Sequence, residues 1–354
     1  MTTGSAPRAE RSSEAVAAQS PQPRPLALRL QQIFVRLGVL PFLLLIAVVV
    51  FSLLSSRFYG PENVKNVLRQ SSYLTMVAMG QMLALLTGGF DLSVGTILAV
   101  TSVFGASAMA AMHAAFPSAV VMSIAVGMLA GVGAGMLIGI ANGAGVALAG
   151  VSPFMMTLGM ASVGFGISLF QTGGVPVYGM PKEFGKVLGF GQLFGFLPAP
   201  VIVTIALIVI MHVLLNWTRM GRYLYAIGGN LKASTLSGIN TRLYLFLAYV
   251  LCGAMTAISG IMLTARLETG EANIGATMPL ESIAACVIGG VSLRGGTGKL
   301  GNVVLGAIFI GLVQNGMNLA RIESYLQIVV IGILLIVAVM ADQLRQKMVA
   351  TLRD

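Results

Sequence analysis

Long apolar stretches divided by short polar punctuation dominate the chain. Runs without Asp, Glu, Lys or Arg occupy residues 37–56, 70–90, 92–181, 187–218, 243–265, 282–293, 300–320 and 324–341. A spanning helix needs about 20 apolar residues to cross a hydrocarbon core of about 30 Å, so such runs predict membrane helices. The run 92–181 is far too long for one crossing and must fold back. Breaks at 114–117 and 150–153 divide it into three helices, followed by a Gly/Pro-rich loop from Gly173. The pattern predicts an all-α, polytopic membrane protein of about ten segments, occupying residues 37–345. Residues 1–36, rich in Ala, Ser, Pro and Arg, lack helical periodicity and read as a disordered cytosolic tail. Residues 346–354 read as a short C-terminal tail. The first apolar run, 37–56, has no clear small-residue cleavage site and reads as a spanning helix, not a targeting peptide.

Composition strengthens this picture. The chain of 354 residues is 56% hydrophobic and 9% charged, with a mean hydropathy of +0.91. A soluble domain carries roughly 25% charged residues, so too few charges remain for a surface facing water. The 44 glycines and 21 methionines suit helices that pack closely and slide. Cys252 and Cys286 lie in apolar stretches and read as packing residues, with no disulfide framework.

A net charge of +10 would suit nucleic acid, but the basic residues flank apolar runs and form no patch. They serve better to orient the chain. With both termini cytosolic, the inner side holds Arg8, Arg11, Arg24, Arg29, Arg36, Arg219, Arg222, Lys232, Arg242, Arg294, Lys299, Arg345, Lys347 and Arg353. The outer side holds Arg57, Lys65, Arg69, Lys182, Lys186, Arg266 and Arg321. The inner set is the larger, as the positive-inside rule requires.

Two stretches echo each other. Asn142-Gly143 lies in "GMLIGIANGAGVALAGVSPF" and Asn315-Gly316 in "GAIFIGLVQNGMNLARIESY"; upstream, Asp91 opens "DLSVGTILAV" and Glu281 opens "ESIAACVIGG". A repeat of five segments reverses orientation, so the two halves would be inverted copies. The run 282–293 is too short to span if helical. Either Glu281 enters the membrane or this helix is broken, and paired short segments in inverted halves mark transport paths. Asp91 also reads as an N-cap for the helix that follows.

Catalytic and metal chemistry are not indicated. "LRGGTGKL" (293–300) resembles a phosphate loop, but Leu293 replaces its first Gly and Leu300 the Ser or Thr that binds magnesium. His113 and His212 are far apart and lack nearby carboxylates. The polar groups available to a path are mostly neutral: Gln81, Ser93, Asn142, Gln171, Gln314, Asn315 and Asn318, with Asp91 at a helix start. Each can hydrogen-bond a neutral hydroxylated solute or bridge two helices.

One polar piece stands between two apolar runs: "GGNLKASTLSGIN" (228–240). Asn230 is suited to start a helix and Gly238 to end it, with Leu231, Ala233, Leu236 and Ile239 as apolar contacts. The helix is too short to span. Small residues at Ala233, Ser234 and Ser237 permit close docking to another protein, or the piece lies on the membrane as a linker.

The chain resembles the membrane subunit of ribose-type ABC sugar importers over about residues 37–345. The likeness is carried by "GGFDLSVG" (88–95), "IANGAGVALAGVSPFMMTLGM" (140–160), "GRYLYAIGGNLKASTLSGI" (221–239) and "IAACVIGGVSLRGGTGKLGNVVLGA" (283–307). It implies that the segment Asn230, Ala233, Ser234, Leu236, Gly238 and Ile239 is a coupling helix seated in a cytosolic ATPase. Ser234 stands where the family usually has a second Ala. The resemblance further implies a homodimer surrounded by membrane lipid in a bacterial inner membrane. It implies a periplasmic sugar-binding protein outside, and ATP and Mg bound by the partner ATPase, with no cofactor in this chain. Two other readings stay open at this stage: a secondary active transporter, which should contain an ion site, and an ABC permease for branched-chain amino acids.

Overall fold

In the computed structural model, residues 40–351 are described; the expected tail 1–36 and residues 352–354 lie outside them. Helices dominate in chain order: α1 (Leu40–Leu54), α2 (Pro61–Leu86), α3 (Val94–Ala115), α4 (Val120–Ala147), α5 (Pro153–Thr172) and α6 (Ala199–Trp217). Then come α7 (Arg219–Gly229), α8 (Leu231–Leu236), α9 (Thr241–Leu267), α10 (Met278–Ile288), α11 (Leu300–Leu319) and α12 (Ser324–Thr351). A short helical turn covers 182–189, and a two-residue hairpin pairs β1 (Gln192–Leu193) with β2 (Leu197–Pro198). The expected loop from Gly173 is therefore a folded segment, pinned to the α9–α10 connection by a bridge between Val177 and Gly270.

Each expected membrane segment contains one helix. Among the described residues, α3, α4, α5, α6, α9 and α11 are long and apolar enough to cross a membrane unaided. The apolar helices α1 and α10 and the 324–340 part of α12 are shorter. Helix α2 is long, but it opens nine residues before the charge-free run at 70, with Pro61 at its start and Glu62, Lys65 and Arg69 in its first turns. A charged residue does not stop a helix; it only stops an apolar run. Helix α12 continues to Thr351, into the expected C-terminal tail.

Glu281 does not open its helix. Pro279 supplies the fixed φ suited to a first turn, so α10 begins at Met278 and carries Glu281 one turn inside it. Its 11 residues rise about 16 Å, still too little to cross the hydrocarbon core. Asp91 likewise stands outside α3, whose capping position is Ser93.

Glycine spacing explains the tight centre of the bundle. Gly127, Gly131, Gly135, Gly139 and Gly143 recur every four residues on one face of α4 and are buried. A Cβ on Gly131 would stand 2.6 Å from the Thr101 carbonyl of α3; one on Gly139 would stand 2.8 Å from the Tyr249 carbonyl of α9. Only bare backbone lets three helices approach so closely, as in other membrane helix packings.

Candidate functional site

Three arrangements gather the polar residues that the sequence singles out. The first is a buried knot joining α2, α3 and α4. Gln81, Asp91, Ser93 and Asn142 are all fully buried. Asp91 Oδ1 accepts from the Ser93 N–H at 2.8 Å and from the Ser93 hydroxyl at 2.6 Å. Asn142 Nδ2 donates to Ser93 Oγ at 2.7 Å and reaches Asp91 Oδ2 at 3.3 Å. Gln81, with its amide turned to suit its partners, donates to the Asp91 carbonyl at 3.0 Å and accepts from the Asp91 N–H at 3.1 Å. The knot fixes the 87–93 turn between two helices.

The second arrangement is a cavity of about 510 Å³ among α2, α9, α10 and α11. Its wall includes Asn66, Arg69, Gln70 and Tyr73 from α2, Arg266 from α9, Glu281 from α10, and Gln314 and Asn315 from α11. Gln70 Nε2 donates to Gln314 Oε1 at 3.2 Å, Arg69 Nη1 to Asn66 Oδ1 at 3.1 Å, and Asn315 Nδ2 to Asn63 Oδ1 at 2.9 Å. Arg266 lies over the Phe190 ring, 4.4 Å from its centroid. Among the described residues the ion pair found is Lys65–Glu62, so neither arginine of the wall reaches Glu281. Arg69 Nε, Tyr73 OH and Asn315 Oδ1 are buried in this wall without a hydrogen-bond partner. Asn318 is exposed, accepting from Gln327 Nε2 of α12 at 2.8 Å.

The third is α8. Asn230 Oδ1 accepts from the Ala233 N–H at 2.9 Å and caps the helix start. At the other end Gly238 adopts φ +80°, the Ile239 N–H reaches the Ser234 carbonyl at 3.1 Å, and the Gly238 N–H reaches Thr235 at 3.0 Å. These two bonds form a Schellman closure, which favours glycine at that position. Only Ser234 of the helix is buried, while Leu231 is 50% and Leu236 89% exposed. Of the expected apolar contacts, Leu236 is left almost bare among the described residues, Ala233 is exposed, Leu231 is half covered and Ile239 is partly buried.

The cavity and α8 lie at opposite ends of the bundle. Helix α9 starts just after α8 and ends at the cavity, and its 27 residues span about 40 Å. Of the expected path residues, the structure thus unites Gln81, Asp91, Ser93 and Asn142 in the knot and Gln314 with Asn315 in the cavity, leaving Asn318 on the surface. Sequence reasoning missed Asn66, Gln70 and Tyr73 and treated Arg69 and Arg266 as outer anchors. The available signal was their position inside or at the edge of helical patterns, where a solvated anchor has no need to be.

A helical, multi-pass membrane protein with a polar cavity walled by four helices is the class these features define. Residues 63–339 match the family described as "Branched-chain amino acid transport system / permease component", and the chain belongs to that family. It is 39% identical to the ribose import permease protein of Bacillus subtilis over 86% of this chain and 92% of that one. It is 34% identical to the D-allose transport system permease protein of Escherichia coli over 86% and 91%. With the L-arabinose transport system permease protein of Escherichia coli the identity is 37% over 80% and 84%. No solved structure matches the chain. These relatives bear out the likeness to ribose-type permeases read from the four motifs.

Proposed function

We propose that this chain is the membrane-spanning permease subunit of an ATP-driven importer for a monosaccharide. Kinship to ribose, allose and arabinose permeases supports the cargo class. The observation that carries the energy source is α8: a capped, closed helix at one end of the bundle that, among the described residues, leaves Leu231 half exposed and Leu236 89% exposed. A helix built this firmly and left bare suits docking to a cytosolic ATPase, which holds ATP and Mg. In this reading Asn230, Ala233, Ser234, Leu236, Gly238 and Ile239 form the coupling helix, and a periplasmic sugar-binding protein delivers cargo at the cavity end. Two copies of the chain form the complex, and the chain itself catalyses no covalent step.

The same reading takes all ten helices other than α7 and α8 as membrane segments in two inverted halves, α1–α5 and α6 with α9–α12. The polar pairs support it. Asp91 precedes the third helix of the first half and meets Asn142 of the fourth. Glu281 lies in the third helix of the second half and shares the cavity with Asn315 of the fourth. One pair lies near the α8 end and the other at the far end, as inversion requires.

The test is reconstitution of the chain with its ATPase and binding protein, measuring ATP-dependent uptake of labelled ribose, allose and arabinose. We expect uptake of at least one. Leu236→Asp and Ala233→Trp, on exposed positions, should insert and fold normally yet lose ATPase association and uptake. Uptake of leucine instead of sugars would favour the amino-acid permease, and uptake driven by an ion gradient without ATPase would favour the secondary carrier.

A further inference from the structure

We infer that the cavity among α2, α9, α10 and α11 is a sugar-binding site of the permease itself, holding a neutral polyhydroxylated ring between Glu281 and Arg69. The inference rests on the sugar-permease reading above and assigns the site within it.

Size is the first ground. About 510 Å³ falls within the range of pockets that enclose small ligands, roughly 300–1,000 Å³. Charge is the second. Glu281 is 4% and Arg69 8% exposed, and both line one cavity without forming an ion pair. A buried carboxylate and a buried guanidinium held apart are costly unless something between them supplies hydrogen bonds. A sugar does so without bringing charge of its own: one hydroxyl donates to Glu281 while another accepts from Arg69.

The remaining wall decides between ligand classes. A zwitterionic amino acid would also satisfy a carboxylate and a guanidinium, but its apolar side chain would then face amides. Gln70 and Gln314 face the cavity with one mutual bond of 3.2 Å, leaving further donors and acceptors on both side chains. Hydroxyls around a ring match such a set; a branched aliphatic group does not.

The experiment uses the purified full-length chain in lipid nanodiscs, without ATPase or binding protein, and measures equilibrium binding of labelled D-ribose, D-allose and L-arabinose. Saturable binding of at least one is expected. Glu281→Gln and Arg69→Gln should each weaken it about tenfold or more, the range for losing a hydrogen bond to a charged group. Gln314→Ala, at a half-buried position, should weaken it less while leaving the melting temperature unchanged, which separates binding from folding. Leucine should not compete. The inference is overturned by absent binding in a chain whose complete transporter imports these sugars, by affinity indifferent to all three substitutions, or by displacement with leucine. Failure of sugar import by the complete transporter would instead overturn the permease reading beneath it.

Discussion

Asp91 shows how one buried carboxylate can join three helices. Its side chain takes the amide and hydroxyl of Ser93, its backbone is clasped by Gln81 of α2, and Asn142 of α4 closes the group. Asn at this position keeps one oxygen for Ser93 but turns an amide N–H₂ toward that of Asn142. Ala leaves the buried Ser93 groups unsatisfied, at about 1–3 kcal/mol for each. We therefore predict that Asp91→Asn melts slightly below the wild type and still transports, while Asp91→Ala melts well below both. Thermal unfolding in detergent alongside uptake measurements decides the matter. An Asn variant that is stable but inactive would show that the charge itself acts in transport. The residue chemistry around Asp91 was partly legible in the sequence, because a carboxylate two residues before a helix's capping position has local donors at hand. Its partners were not legible: Gln81 and Asn142 reach it only after α2 and α4 have packed. The cavity was harder still, since Arg69 of α2 is brought to Glu281 and Gln314 of α10 and α11 from about 200 residues away.

Among elements, the apolar runs located the helices because burial in lipid requires apolar length. They misplaced the start of α2 because charges at a helix end can face a cavity or water without breaking the helix. The junction behind α8 was invisible to such a pattern. There the end of α7, the end of α2 and the α10–α11 connection meet in close backbone contact, and the Tyr225 hydroxyl of α7 donates to the Gly298 carbonyl at 2.9 Å. A Cβ on Gly228 would overlap the Leu86 carbonyl, and the Gly296 N–H, in a residue at φ +72°, donates to that same oxygen at 2.9 Å. Helix α2 continues from Leu86 to the cavity wall at Arg69–Tyr73. We predict that this contact, alongside α9, carries movement between α8 and the cavity. Gly228→Ala should therefore wedge the junction apart and lower uptake per ATP hydrolysed, while Gly229→Ala, with open space around it, should behave as the wild type. Equal coupling ratios in the two variants, each folded and assembled, would remove the junction from the transport mechanism.

For the whole molecule, the decisive question is which end faces the cytosol. Counting basic residues yields an expectation, but the count treats every cation as a solvated anchor. Arg69 is buried and lines the cavity, and Arg266 lines it too while stacking on Phe190. Removing both from the outer set leaves the inner set still the richer, so cytosolic termini remain the expectation. Labelling provides a direct measurement. The native Cys252 and Cys286 are fully buried, so a membrane-impermeant maleimide should spare them. Tyr59, 65% exposed beyond the end of α1, and Leu236, 89% exposed on α8, then give reporters for the two ends. In intact cells, Tyr59→Cys should react with the reagent added outside and Leu236→Cys should not. In inverted vesicles stripped of the ATPase the two should exchange behaviour. Reaction of Leu236→Cys in intact cells would place α8 outside, away from any ATPase, and the coupling role argued for it would fall with the orientation.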